Sequence, residues 1–125
     1  MTFATVIIEF MLFANLKRIR EFERKNLPFM TSLEDREILL TIGYAQEQGH
    51  PVCFKNLTLS MDNLKRFGLG SAATIRRRVM RLIARGALEK YPADHDGRIV
   101  YLVLSEKSQR LFARYSGVMT SLYWR

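Results

Sequence analysis

Five arginines, Arg76, Arg77, Arg78, Arg81 and Arg85, fall within ten residues of the run SAATIRRRVMRLIARG (71–86), with no Asp or Glu among them. A guanidinium fork pairs with phosphate oxygens or with the O6 and N7 edge of guanine. Spacing decides where the forks point. At helical periodicity Ile75, Val79, Leu82 and Ile83 gather on one side, and Ala73, Thr74, Arg77 and Arg81 on the other. Arg76 and Arg78 flank the apolar stripe. The outward face is therefore small at its N-terminal end and cationic further along. Ala72 and Ala73 let such a helix end approach base edges, and Thr74 can donate to a phosphate or touch a thymine methyl. The competing reading is a helix that keeps its arginines for solubility, and the lack of any acid in the run argues against it.

No other constellation offers comparable chemistry. Cys53 is the single cysteine, so no disulfide or cysteine-based zinc site forms within one chain. It reads as a small core hydrophobe between Val52 and Phe54 rather than a redox sensor. His50 and His95 lack ligand spacing. Ser60, Asp62 and His50 are close in sequence but form no catalytic motif, so neither an enzyme nor a cofactor is expected. Asp96-Gly97-Arg98 is generic turn chemistry taken alone. A basic residue at a hairpin tip can, however, enter a minor groove beside a major-groove helix.

The whole chain supports a polyanionic partner. Its 125 residues suit one domain with a real core. Lys and Arg number 20 against 12 Asp and Glu, a net charge of +8, while 48% of residues are hydrophobic. Residues 51–98 carry ten Lys and Arg against four Asp and Glu, and hold most of that excess. Thiol usage fits a reducing cytoplasm. The apolar run Phe3–Leu16 is too short to span a membrane and contains Glu9. No basic residue precedes it and no clear cleavage site follows, so no signal peptide is expected.

The elements that would position the arginines follow from periodicity and punctuation. Residues 2–25 read as a helix that is apolar nearly all round for four turns, with Phe3, Ile7, Phe10 and Ala14 on one stripe and Ile8, Leu12, Leu16 and Ile19 on another. The run Lys17–Lys25 reads as a solvated face, and Leu27-Pro28 ends the helix. Thr31 and Glu34 form a capping box before a helix whose buried side is Leu33, Ile38, Leu39, Ile42 and Ala45, stopped at Gly49-His50-Pro51. Val52–Phe54 reads as a short strand, Leu57–Lys65 as a weak helix, and Phe67–Gly70 as a turn. Ser71 caps the arginine helix and Gly86 closes it. Leu88–Tyr91 and Ile99–Leu104 form a hairpin around 92–97. Ser105 starts a last helix with the stripe Leu111, Phe112, Tyr115, Val118, Met119 and Leu122. Tyr115, Tyr123 and Trp124 read as core or subunit contacts.

Three motifs, S-x-x-T-I-x-R-x-V-x-x-L leading to A-R-G-A-L (71–88), D-G-R (96–98) and L-V-L-S-E-K (102–107), resemble the MarR-type winged helix-turn-helix from Thr31 to about Gly117. The resemblance implies a mainly α fold with a small β-hairpin wing. It makes 71–84 the major-groove helix, with contacts from Thr74, Arg76 and Arg77, and Arg98 the wing-tip arginine oriented by Asp96. It also implies a homodimer joined through the terminal helices. The resemblance also implies that a small aromatic ligand is a possible effector, and in this chain the C-terminal region has room for only one helix after Ser105.

Together these readings predict a DNA-binding transcription regulator. Its expected parts are an N-terminal dimerisation helix (1–30), a winged helix-turn-helix domain (31–104) and a C-terminal dimerisation helix (105–125). Expected DNA contacts are Ser71, Ala73, Thr74, Arg76, Arg77, Arg81 and Arg98, with Lys55, Lys65 and Arg66 on phosphates. No metal and no membrane partner are expected. Two other uses of the same module stay open: a protein-interaction adaptor, and a plasmid or phage replication or partition protein.

Overall fold

Helix ends are fixed here by side chains that satisfy backbone groups. The computed structural model describes residues 3–30, 32–57, 71–93 and 97–123. In chain order these form α1 (Phe3–Asn26), α2 (Leu33–Glu47), β1 (Val52–Cys53), a 3-10 turn (Phe54–Asn56), α3 (Ala72–Ala84), β2 (Leu88–Pro92), β3 (Val100–Leu104) and α4 (Glu106–Tyr123). The chain divides into two compact units, Met1–Pro28 with Arg110–Arg125, and Phe29–Gln109.

The second unit holds the sheet. β3 is central and antiparallel to both neighbours, with Val52 opposite Leu102 on one side and Lys90 opposite Leu102 on the other. α2 packs on β3, and α3 packs on β2 and α2. Ile38, Leu39, Ile42, Ile75, Val79, Leu82, Leu88 and Leu102 are all buried. Gly43 permits the approach of α2 to β3, since a Cβ there would meet Leu104 Cδ1 at 3.3 Å. Gln46 Oε1 accepts a bond from the Leu104 N–H at 2.9 Å.

α3 begins and ends as its sequence requires. The Thr74 N–H donates to Ser71 Oγ at 3.2 Å. At the other end Gly86 takes φ +77°, a left-handed conformation that glycine adopts without strain. The Gly86 N–H then reaches Ile83 O and the Ala87 N–H reaches Leu82 O, satisfying carbonyls the helix leaves open. The Ala87 carbonyl is itself a junction. It accepts from the Ser105 N–H at 3.1 Å and from the buried Ser108 hydroxyl at 2.8 Å. The exit of α3 is thereby bonded to the start of α4.

In the first unit Ile19 and Glu23 of α1 are buried, as is Leu27 just after it. Phe22 meets Tyr115 of α4 edge-on, with centroids 5.5 Å apart. Among the described residues no helix is long and apolar enough to cross a membrane.

Several expectations need correction. The cap of α2 is Ser32, whose Oγ accepts from the Asp35 N–H, one residue later than the Thr31–Glu34 box; Thr31 lies outside the described residues. Leu33 is exposed and Asp35 is buried, so the inner face of α2 begins with a carboxylate. Glu23 is buried, so the Lys17–Lys25 run is not wholly a solvated face. The chain leaves the sheet at Cys53, and Phe54 opens a 3-10 turn instead of extending the strand. Met119, expected on the buried stripe of α4, is exposed, while Tyr115 and Val118 are half-buried. The expected helix 57–65 and turn 67–70 lie outside the described residues except for the buried Leu57.

Leu82→Ala removes a fully buried side chain from the α3 stripe. It should lower stability by about 2–5 kcal/mol, read as a fall in the urea midpoint at unchanged slope. A loss below about 1 kcal/mol would mean that α3 does not carry the core.

Candidate nucleic-acid interface

Burial sorts the arginines of α3 into two roles. Ile75, Val79 and Leu82 lie inside, while Ala73, Arg76, Arg77 and Arg81 are exposed. Arg77 Nη2 donates to Thr74 Oγ1 at 3.3 Å, and Thr74 Oγ1 lies 3.2 Å from Ser71 Oγ. These bonds line Ser71, Thr74 and Arg77 along the first turns of α3. No acidic residue stands in α3, so its outward face is cationic without internal neutralisation.

Arg78 turns the other way. Its Nη1 donates to Ser32 Oγ at 3.2 Å and lies 3.5 Å from Asp35 Oδ1. Asp35 is 1% exposed and Arg78 24%, so the pair is largely shielded from water. A charge this deep needs a partner, because leaving it alone costs several kcal/mol. The cap of α2 and the middle of α3 are therefore tied through one guanidinium. Half-buried Glu34 lies at the same helix start. Its carboxyl is held below the usual range, chiefly by a hydrogen bond with its own backbone N–H, with smaller help from Arg78 and Ser32 against slight desolvation.

Beside α3, two shallow grooves meet at Phe54. One, of about 310 Å³, runs under the start of α3 past Leu57, Ala72 and Ala73. The other, of about 270 Å³, runs toward the hairpin past Met80, Lys90, Arg98 and Val100. Phe54, Lys55 and Arg76 line both. The Arg76 guanidinium carbon stands 5.4 Å from the Phe54 ring centroid, and Lys90 Nζ stands 5.8 Å from it.

The structure thus brings Arg76 and Arg98 to one groove, with Ser71, Thr74 and Arg77 grouped on α3 and Arg81 exposed on the same helix. Lys65, Arg66 and Asp96 lie outside the described residues. Sequence reasoning missed Phe54 and Lys90. Strand alternation alone could not show that Lys90 shares a ring with α3, although Lys55 beside Phe54 had marked the segment as cationic. Among the described residues no group of His, Cys, Asp and Glu could hold a metal ion.

Comparison with solved structures supports the architecture. The transcriptional regulator PA4135 aligns over 92% of this chain and 77% of its own, with a TM-score of 0.50 at 23% identity. The chain has the winged-helix fold. Two further neighbours are MarR proteins. AbsC, a MarR family transcriptional regulator from Streptomyces coelicolor, covers 98% of this chain and 80% of its own at 13% identity, with a TM-score of 0.47. A cysteine-to-serine mutant of MarR from E. coli, solved with operator DNA, covers 98% and 85% at 16% identity, with a TM-score of 0.48. No protein-family model matches the sequence. No curated protein matches it. In this winged helix the β2–β3 hairpin is the wing.

Arg78→Ala removes the cation beside buried Asp35 and should cost about 1–3 kcal/mol of stability in urea unfolding. Arg77→Ala, one residue earlier but outward, should stay within about 0.5 kcal/mol of wild type. Equal costs would show that Arg78 does not tie the two helices.

Proposed function

We propose that this chain is a transcription regulator that binds duplex DNA, with α3 in the major groove and the β2–β3 wing at the neighbouring minor groove. One observation carries the reading: α3 buries Ile75, Val79 and Leu82 and leaves Arg76, Arg77 and Arg81 exposed on a helix without acids. Such a face, in which Met80 is the one exposed large apolar side chain, suits a polyphosphate surface.

The roles follow from position. Ala73 and Thr74 stand where small side chains allow base approach, and Ser71 caps the helix end nearest the bases. Arg77 and Arg81 project furthest outward and reach base edges or phosphates. Arg76, Lys55, Lys65 and Arg66 hold backbone phosphates, and Arg98 works from the wing. The chemistry needs no catalysis, and a regulator of this kind acts in the cytoplasm.

The working form is a homodimer. Met11, Leu12, Phe13 and Leu16 of α1 are 40–73% exposed in the single chain. An apolar cluster of this kind on a monomer promotes aggregation, and a two-fold partner would cover it. Residues 1–30 and 105–125 would then form the dimer interface, and 31–104 the DNA-binding domain. Two copies present two α3 helices to half-sites about one DNA turn apart.

Two experiments test these readings. Wild-type protein should bind duplex DNA with affinity that falls steeply with salt, and Arg77→Ala with Arg81→Ala should cost about 2–5 kcal/mol of it. Unchanged binding by the folded double variant would overturn the interface. In sedimentation at micromolar concentration the wild type should be dimeric. Leu12→Glu with Leu16→Glu should shift it to monomer and weaken DNA binding without altering a DNA contact. A wild-type monomer would overturn the dimer.

A further inference from the structure

Phe54 is half-buried at the end of β1, where the chain leaves the sheet, and two cations from separate elements converge on it. Arg76 comes from α3 and Lys90 from β2, at 5.4 Å and 5.8 Å from the ring centroid. Both line the same groove with Lys55 and Arg98, and among the described residues no carboxylate lines it. Among the described residues neither Arg76 nor Lys90 has an acidic partner.

This is an unusual place to leave positive charge. Each cation gains a modest attraction from the electron-rich ring face. Both cations also line one groove, where like charges repel. An anion seated between them would remove the repulsion and take hydrogen bonds from both. The groove is open and shallow, and about 270 Å³ is enough for a phosphodiester group rather than a large ligand.

We propose that Phe54 is a positioning residue that holds Arg76 and Lys90 as a preformed clamp for a DNA backbone phosphate between α3 and the wing. The proposal rests on the DNA-binding reading above and adds to it a residue that touches no DNA. The ring fixes two flexible side chains before the phosphate arrives, so less side-chain freedom is lost on binding. Because the clamp draws one cation from the helix and one from the sheet, the bound phosphate also sets the angle at which the wing meets the duplex. Lys90 accordingly belongs with the DNA-contacting residues, although it lies in a strand.

The test uses the full chain and a labelled duplex of fixed sequence, with binding measured by fluorescence anisotropy over a potassium chloride series. Arg76→Ala with Lys90→Ala should flatten the plot of log affinity against log salt by about 0.9, the contribution of the one phosphate that the two cations share. Phe54→Leu keeps apolar bulk but removes the ring. It should weaken binding roughly three- to tenfold and flatten the slope by about half as much or more. Phe54→Tyr keeps the ring and should restore both. A merely structural role would instead lower the melting temperature and leave the slope of the folded fraction unchanged. Folded Phe54→Leu with wild-type slope and affinity overturns the clamp while leaving DNA binding intact. If Phe54→Leu does not fold, an unchanged slope in the Arg76/Lys90 double variant overturns it equally. Wild-type protein that binds no duplex at low salt overturns the DNA-binding reading and the clamp with it.

Discussion

The rotation of α3 about its own axis is the constraint on which the rest depends. Burying Ile75, Val79 and Leu82 stabilises the domain by about 1.5–3 kcal/mol for each side chain. Turning the helix by one residue would exchange part of that gain for an arginine in the core, at a far larger cost. The charge pattern is therefore not only a surface property. It forbids every other seating of the helix, and the apolar stripe selects the one that remains. The one arginine that falls on the inner side, Arg78, is accommodated because α2 offers a buried carboxylate and a serine hydroxyl at that spot.

The parts legible in the sequence are those whose cause is local. The Ser71 cap, the Gly86 stop, the stripe of α3 and both hairpin strands each follow from residues a few positions apart. The unread parts depend on distant partners. Nothing near Asp35 says that it is buried, because the reason is Arg78, 43 residues further along. The Ser32 cap displaced the Thr31 box for a related reason, since Ser32 both caps α2 and accepts from Arg78. Phe54 read as strand from its neighbours Val52 and Cys53. Its ring chemistry exists only once α3 and β2 are folded beside it.

The likeness to PA4135 at 23% identity shows how little of the fold lies in particular residues. Periodicity, caps and turns suffice to rebuild it from different side chains. What a winged helix does is then decided by the chemistry on its exposed faces. Here that chemistry is cationic along α3 and into the groove at Phe54, while the described part of α1 carries the exposed apolar residues. One chain thus presents two kinds of surface on separate compact units.

The bond from the Leu104 N–H to Gln46 Oε1 has a consequence for how the protein behaves in a crowded solution. β1 supplies only two residues against the five of β3, so among the described residues the far end of β3 has no strand beside it on that flank. A row of free N–H groups at such a place is an invitation for a foreign strand to pair and extend the sheet. The Gln46 amide occupies that donor from the side of α2. A single glutamine thus removes one free donor from the flank that the short β1 leaves uncovered.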